Sequence, residues 1–594
     1  MPRTRYEHLG THVPLRALPA AALRAVLREG YGRAELQQDI LAGIVVGIVA
    51  LPLSMALALA VGVSPQRGLY TAIVAGFAVA ALGGSRMQVT GPTAAFIVVL
   101  APIYTRFGPQ GLMLAGFCAG LILIAMGLLR LGSLISYVPH PVTTGFTAGI
   151  ATVIATMQLK DALGLYWTGS PEHYLERVQA MWTARGTASL AEIGVAAATL
   201  SLLITVPRVF NKVPASVIVL PLSAAGAYLL VRWVPGIQVA TIGSRFQTEI
   251  AGRIVHGIPQ LPPVLTWPFG QLSFGMLREI LPSAFAIAML GAIESLLSAV
   301  VADGMARTRH DPDAELLGLG IGNVLAPLFG GIAATGAIAR TATNVRAGAR
   351  SPIAAMIHSL TILGAVLLFA PLIAYLPMAA LAALLLIVAW NMSEVRHFAH
   401  ILRVAPRSDV AVLLTCYTLT VLFDMVVAVS VGVVLASFLF MRRMVEVTEV
   451  KLTQGQHPAL PDALPEGVVV YDIDGPLFFG AAQKAMGALG SIADHARVVV
   501  MRMDAVPVMD ATGLVALESA ISRLRASHCL VIISGLARQP GALLAKSMSH
   551  QPDPEVVVCS DTLGAIRVAE EHLQQRAGAS SSPATNDAHT RTRS

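Results

Sequence analysis

Charge is scarce in this chain. Only 13% of its 594 residues are Asp, Glu, Lys or Arg, 55% are apolar, and the mean hydropathy is +0.69. Soluble domains carry about a quarter charged residues, so the deficit excludes an ordinary soluble enzyme and puts most of the chain in lipid. Cysteine is scarce too: Cys118, Cys416, Cys529 and Cys559 have no metal-ligand or redox spacing and read as free thiols. No catalytic triad, phosphate-binding loop or metal-ligand cluster is present in the sequence, so neither an enzyme nor a cofactor is expected, and any transport must run on gradients. The first 38 residues lack a signal-type apolar core with a cleavage site. The net charge of +7 does not point to nucleic acid, because the arginines flank apolar segments as the positive-inside bias predicts.

What is abundant is apolar sequence in regular blocks. From Ile40 to about Met444 the pattern gives fourteen apolar segments joined by short polar stretches. Arg86, Arg130, Arg208, Lys212, Arg307, Arg309, Arg346, Arg350, Arg396, Arg403, Arg407, Arg442 and Arg443 fall in joints on one side, and only Arg67 and Arg106 in short joints on the other. That asymmetry and the even count predict cytoplasmic termini, with the long joints 159–189 and 234–280 outside. Domain boundaries are expected at 1–38 (N-terminal arm, with an amphipathic helix near 15–30), 39–444 (transmembrane domain), 445–464 (linker), 465–572 and 573–594 (disordered tail). The fourth of these alternates β-rich runs (467–473, 497–503, 529–534, 555–559) with helical patterns (480–493, 513–526, 538–548), the signature of a small α/β domain.

Two segments, 93–105 and 338–349, are too short to cross about 30 Å of hydrocarbon as helices. Each follows a small-residue, extended stretch: Val89-Thr90-Gly91-Pro92-Thr93-Ala94 and Ala334-Thr335-Gly336-Ala337-Ile338-Ala339-Arg340. Irregular backbone at membrane depth is tolerated only where protein buries it or where it lines a wet cavity. Broken helices at corresponding places in two halves mark a transporter's binding site, and their N-termini favour an anion. Thr90, Gly91, Thr93 and Ala94 are expected to line one half-site, and Thr335, Gly336, Ala337 and Ala339 the other. The glycines and alanines let backbone N–H groups approach a substrate. Each threonine could equally cap its own helix.

Arg340 and Glu294 are intramembrane charges, which are functional by default. Arg340 reads as the anion-pairing cation; pairing with Glu294 or with backbone carbonyls is the structural alternative. A carboxyl such as Glu294 can carry a proton. Sodium is the other candidate passenger, with Ser298 and the carbonyls of 335–337 as oxygen ligands. His358 reads as a packed neutral histidine, Asp424 as a turn residue, and Glu315 and Asn323 as interhelical hydrogen-bonding groups.

Met289-Leu290-Gly291-Ala292-Ile293-Glu294-Ser295-Leu296-Leu297, the block at Ala337-Ile338-Ala339-Arg340 and Ala389-Trp390-Asn391-Met392-Ser393-Glu394 resemble the sulfate-permease (SulP) family over about residues 30–570. Within it, the bacterial C4-dicarboxylate transporters fit best. Asp510-Ala511-Thr512-Gly513 resembles the turn of a STAS domain, with Ala511 where soluble relatives carry a phosphorylated serine, which leaves Thr512 as a weak substitute. The resemblance implies an α-helical membrane protein of 14 spans in 7+7 inverted repeats, forming core and gate domains, plus a small cytoplasmic α/β STAS domain. It also implies an arginine at the Arg340 position, a coupling acid at Glu294, a homodimer, and a possible cytoplasmic partner of the STAS domain. Leu53 and Leu57 replace a family Gln and Tyr, which makes that wall more apolar and suits a carbon-bearing substrate. The expected activity is proton-coupled uptake of C4-dicarboxylates (succinate, fumarate, aspartate). The alternative is sulfate or bicarbonate transport on the same fold, with sodium as the possible coupling ion.

Overall fold

The computed structural model describes residues 19–133, 138–167, 174–210, 214–250, 253–269, 274–423, 425–447, 449–453, 463–487, 489, 496–550 and 556–580. It divides into two compact units, Met1–Ala436 and Ser437–Ser594.

The first unit is helical. The amphipathic helix α1 (Ala21–Glu29) buries Ala22 and Val26. It leads to α2 (Arg33–Val61), which starts inside the expected N-terminal arm. Gly62 ends α2 in a left-handed conformation (φ 98°), and Pro65 opens α3 (Pro65–Leu82) three residues later. The two-residue strand β1 (Thr90–Gly91) precedes α4 (Ala94–Leu128). Gly108, at φ 66°, followed by Pro109, breaks α4 into two arms that match the expected segments 93–105 and 110–130. Then come α5 (His140–Leu163), α6 (Tyr174–Thr183), α7 (Leu190–Val209) and α8 (Ala215–Trp233). A four-residue helix α9 (Ile242–Arg245) and the hairpin β2 (Gln247–Ile250) and β3 (Arg253–His256) occupy the second long joint.

The second half repeats this order. It contains α10 (Phe274–Ala306), α11 (Pro312–Leu328), the two-residue strand β4 (Thr335–Gly336), α12 (Ile338–Arg346), α13 (Pro352–Ile373) and α14 (Met378–Ser393). The amphipathic α15 (Val395–Val404), α16 (Arg407–Leu422) and α17 (Met425–Val447) follow. Counting α4 as two arms and leaving aside α1, α6, α9 and α15, each half supplies seven helical segments among the described residues. Nine helices among the described residues are long and apolar enough to cross a membrane. The halves mirror each other in detail. The first helix of each carries an internal proline, Pro52 or Pro282. A mostly solvent-facing amphipathic helix, α6 or α15, separates the fifth and sixth members.

Small residues set the packing, as lipid-embedded helices require. In the second arm of α4, Gly120 lies against the Gly320 carbonyl and Val324 of α11; in α3, Gly76 lies against Ser359 of α13. Second and fourth members of opposite halves therefore meet in both cases. Asp424 lies outside the described residues.

The second unit is a five-stranded sheet in the order β5-β6-β7-β8-β9. Its strands are β5 (Glu449–Thr453), β6 (Val468–Asp474), β7 (Val498–Arg502), β8 (Leu530–Ser534) and β9 (Val556–Cys559); β5 is antiparallel and the rest are parallel. The helices are α18 (Phe479–Gly487), α19 (Ala511–Ala526), α20 (Arg538–His550) and α21 (Thr562–Ser580). Ala482, Leu517 and Leu544 from the first three cover one sheet face, and Ala565 and Ala569 of α21 the other. The four expected strands are present. Two expectations shift: the stretch 445–464 contains an edge strand, and the tail expected from 573 begins inside α21. Edge strands carry charge to deter pairing with other chains. In β5 only Val450 packs on the core, so its apolar signal is weak.

Candidate functional site

The two short strands meet. β1 and β4 pair antiparallel, Thr90 opposite Gly336 and Gly91 opposite Thr335, and the Ala337 amide donates to the Val89 carbonyl at 2.9 Å. The first turns of α4 and α12 therefore leave this ladder in opposite directions, with both N-termini, and their unpaired N–H groups, at one place. Gly91 and Gly336 are required by space. A Cβ at Gly91 would lie 2.5 Å from Arg340 Nη1, and one at Gly336 would collide with Gln88 Nε2 and lie 2.9 Å from Ser295 Cα.

Arg340 sits on the first turn of α12 and is 2% exposed. Its Nη2 donates to the Pro92 carbonyl, while Nε and Nη1 are buried without a protein partner. Among the described residues no carboxylate lies within ion-pair distance of it, so the expected alternative of a pair with Glu294 is not formed. Buried polar atoms are normally hydrogen-bonded, so two orphaned nitrogens mark a place that an anion or water would complete.

Glu294 of α10 is partly accessible and accepts a 3.0 Å hydrogen bond at Oε2 from the Thr93 hydroxyl. Thr93 holds the N-cap position of α4 yet makes no side-chain cap. Its hydroxyl is turned to the carboxylate instead. Thr335 is differently used: its hydroxyl donates to the Gly291 carbonyl at 2.8 Å. Ser298, expected beside a coupling ion, donates to the Thr341 hydroxyl at 3.0 Å, which itself accepts from the Val89 amide. Thr90, Ala94 and Ala337 are buried at the junction, and Ala339 is exposed beside it. Leu57 is fully packed in α2 and only Leu53 keeps accessible surface, so one of the two expected apolar wall residues faces inward.

Behind the ladder lies a network built on Glu315 and Asn323, the two residues read from the sequence as interhelical hydrogen-bonding groups. Glu315 accepts the Gly84 and Ser85 amides (3.0 Å each), Gln88 Nε2 (2.8 Å) and the Ser295 hydroxyl (3.2 Å). Asn344 donates to the Met87 carbonyl at 2.9 Å, and Asn323 exchanges two hydrogen bonds with Ala334. The extended backbone of both interruptions is thus bonded by side chains. Gln88 and Asn344 are the members that the sequence reading missed, and Gln88, an amide between Arg86 and the first interruption, was the signal available for them. His358 is fully buried in α13, as expected of a packed histidine. In the second unit Asp510 caps α19 through the Gly513 amide (2.7 Å), Ala511 opens the helix and Thr512 is exposed.

Opposed helix N-termini around a buried cation, inside a bundle of two repeated halves, define a membrane anion transporter. The profile of the Sulfate permease family matches residues 36–416 and that of the STAS domain residues 463–549, and the chain belongs to the sulfate permease family. That is a family of transporters, and this is a multi-pass membrane protein. The chain is 39% identical over 520 residues (87% of this chain, 95% of the relative) to "Putative sulfate transporter YvdB" of Bacillus subtilis. It is 28% identical over 543 residues (86% and 90%) to the bicarbonate transporter BicA of Picosynechococcus. The inward-facing structure of murine Slc26a9, an anion transporter, shares the fold over 96% of both chains at a TM-score of 0.81 and 16% identity. The expected closeness to C4-dicarboxylate transporters finds no counterpart here: the named relatives are sulfate and bicarbonate transporters.

Proposed function

We propose that this protein is a secondary active transporter of a small inorganic oxyanion, sulfate foremost, held between the N-termini of α4 and α12. The observation that carries this reading is Arg340, buried at the ladder with two unpartnered nitrogens and, among the described residues, no carboxylate within ion-pair distance. Sulfate presents acceptors on every side and suits donors converging from two helix starts and a guanidinium. The relative named for sulfate at 39% identity supports this cargo over a dicarboxylate. Glu294, bonded to Thr93 of the first half-site, is the coupling group, and a proton is its passenger. The core helices carry the site from one face to the other against the gate helices, in a homodimer in the inner membrane of a bacterium with both termini cytoplasmic.

In proteoliposomes with an inward proton gradient, labelled sulfate accumulates and unlabelled sulfate competes. Arg340→Gln weakens sulfate affinity at least tenfold, about 1.4 kcal/mol, with the thermal unfolding midpoint little changed. Glu294→Gln binds sulfate but does not concentrate it. Competition by succinate but not by sulfate would restore the dicarboxylate reading. Accumulation that needs sodium and ignores pH would reassign the passenger.

A further inference from the structure

Arg340 is not the only partly or fully buried cation without an ion-pair partner among the described residues. A cavity of about 410 Å³ lies at the beginning of α3, lined by Ser64, Gln66, Arg67 and Tyr70, by Gln110 and Met113 after the α4 bend, and by Thr266 of the stretch after β3. Arg67 is the only charged residue in its described lining. Its guanidinium makes one weak protein contact, Nη1 to Met113 Sδ at 3.5 Å, and no carboxylate lies within ion-pair distance among the described residues. A cation that is partly withdrawn from water and unpaired favours an anionic guest.

The rest of the lining supplies donors and rigidity. Ser64 stands at the N-cap position of α3, and its hydroxyl does not cap the helix, so it is free to turn inward. Gln66 donates to the Tyr70 hydroxyl at 2.7 Å, and that hydroxyl donates to the Leu261 carbonyl at 2.8 Å, which fixes this wall. A water takes about 30 Å³ in the liquid. A cavity of about 410 Å³ therefore holds a small anion together with part of its hydration shell. Full dehydration is not demanded, which suits weak binding.

None of the lining residues belongs to the ladder, α10 or α12. Gly76, the α3 position that lies against the Thr90 carbonyl, is nine residues beyond Arg67, roughly 13 Å along the helix at 1.5 Å per residue. We propose that this cavity is a second, weaker binding site for a small inorganic oxyanion, with Arg67 as its charge, separate from the site at Arg340.

The test uses the purified full-length protein in detergent. Sulfate is titrated against gluconate at constant ionic strength, and the thermal unfolding midpoint is read as a measure of ligand binding. The wild type gives a tight and a weak phase. Arg340→Gln removes the tight phase and keeps the weak one. Arg340→Gln with Arg67→Gln moves the weak phase up in sulfate concentration at least tenfold, whereas Arg340→Gln with Arg67→Lys keeps it within a few-fold. Should the Arg67→Gln protein fold poorly, Arg340→Gln with Gln110→Glu, which puts an acid into the same cavity, erases the weak phase in its place. A weak phase that survives both double variants, or one absent from Arg340→Gln alone, overturns the second site.

Discussion

At the scale of single residues, the arrangement hinges on how tightly Gly91 and Arg340 fit. A methyl group at Gly91 reaches the guanidinium, so Gly91→Ala is expected to push Arg340 off the Pro92 carbonyl and weaken sulfate binding by tenfold or more. Because Gly91 has an ordinary strand conformation, the fold tolerates the change; equal loss of binding and of thermal stability would contradict this account. Arg340 and Glu294 were legible in the sequence because a charge inside an apolar run stands out whatever surrounds it. The bonds of Glu315 were not. Its partners Gly84, Ser85 and Gln88 lie more than 220 residues away, and only the fold brings them together. Ser298 shows the converse: its position one turn from Glu294 was readable, but its hydroxyl is taken by Thr341.

At the scale of elements, fourteen apolar segments were readable from periodicity and length, and both half-helices from being too short. That the extended stretches before them pair with each other was not readable, since two residues of strand leave no periodic signal. Close helix packing is set at Gly120, where a Cβ would come within 2.7 Å of the Gly320 carbonyl. Gly120→Leu is expected to destabilise the first unit by about 1–3 kcal/mol, as overpacking does, seen as a lowered unfolding midpoint in detergent. In the second unit, Asp510→Ala removes the cap of α19 and is expected to cost about 1 kcal/mol, read as faster amide exchange in that helix. Asp561 caps α21, and the 2.7 Å bond from the Gly564 amide holds its carboxyl below the usual range. A depressed folded-state value gives stability that is present above the ordinary carboxylate range and lost as pH falls through the folded value. Amides at the start of α21 should therefore keep constant protection from pH 5 to 8 and lose it in acid.

At the scale of the whole molecule, every residue assigned to the anion sites lies in the first unit. A protein truncated after Val447 is thus expected to keep sulfate binding with an unchanged midpoint; its loss would give the second unit a direct part in the site. The ladder has a further consequence. Pairing of Thr90–Gly91 with Thr335–Gly336 ties the two stubs together, so cargo held between them, on the proposed function, would be released without their separating. On the proposed function the compartment would then travel intact, like a sealed lift car whose doors belong to the shaft. Selectivity is then the same at both landings, and a competing anion should rank identically from either side of the bilayer.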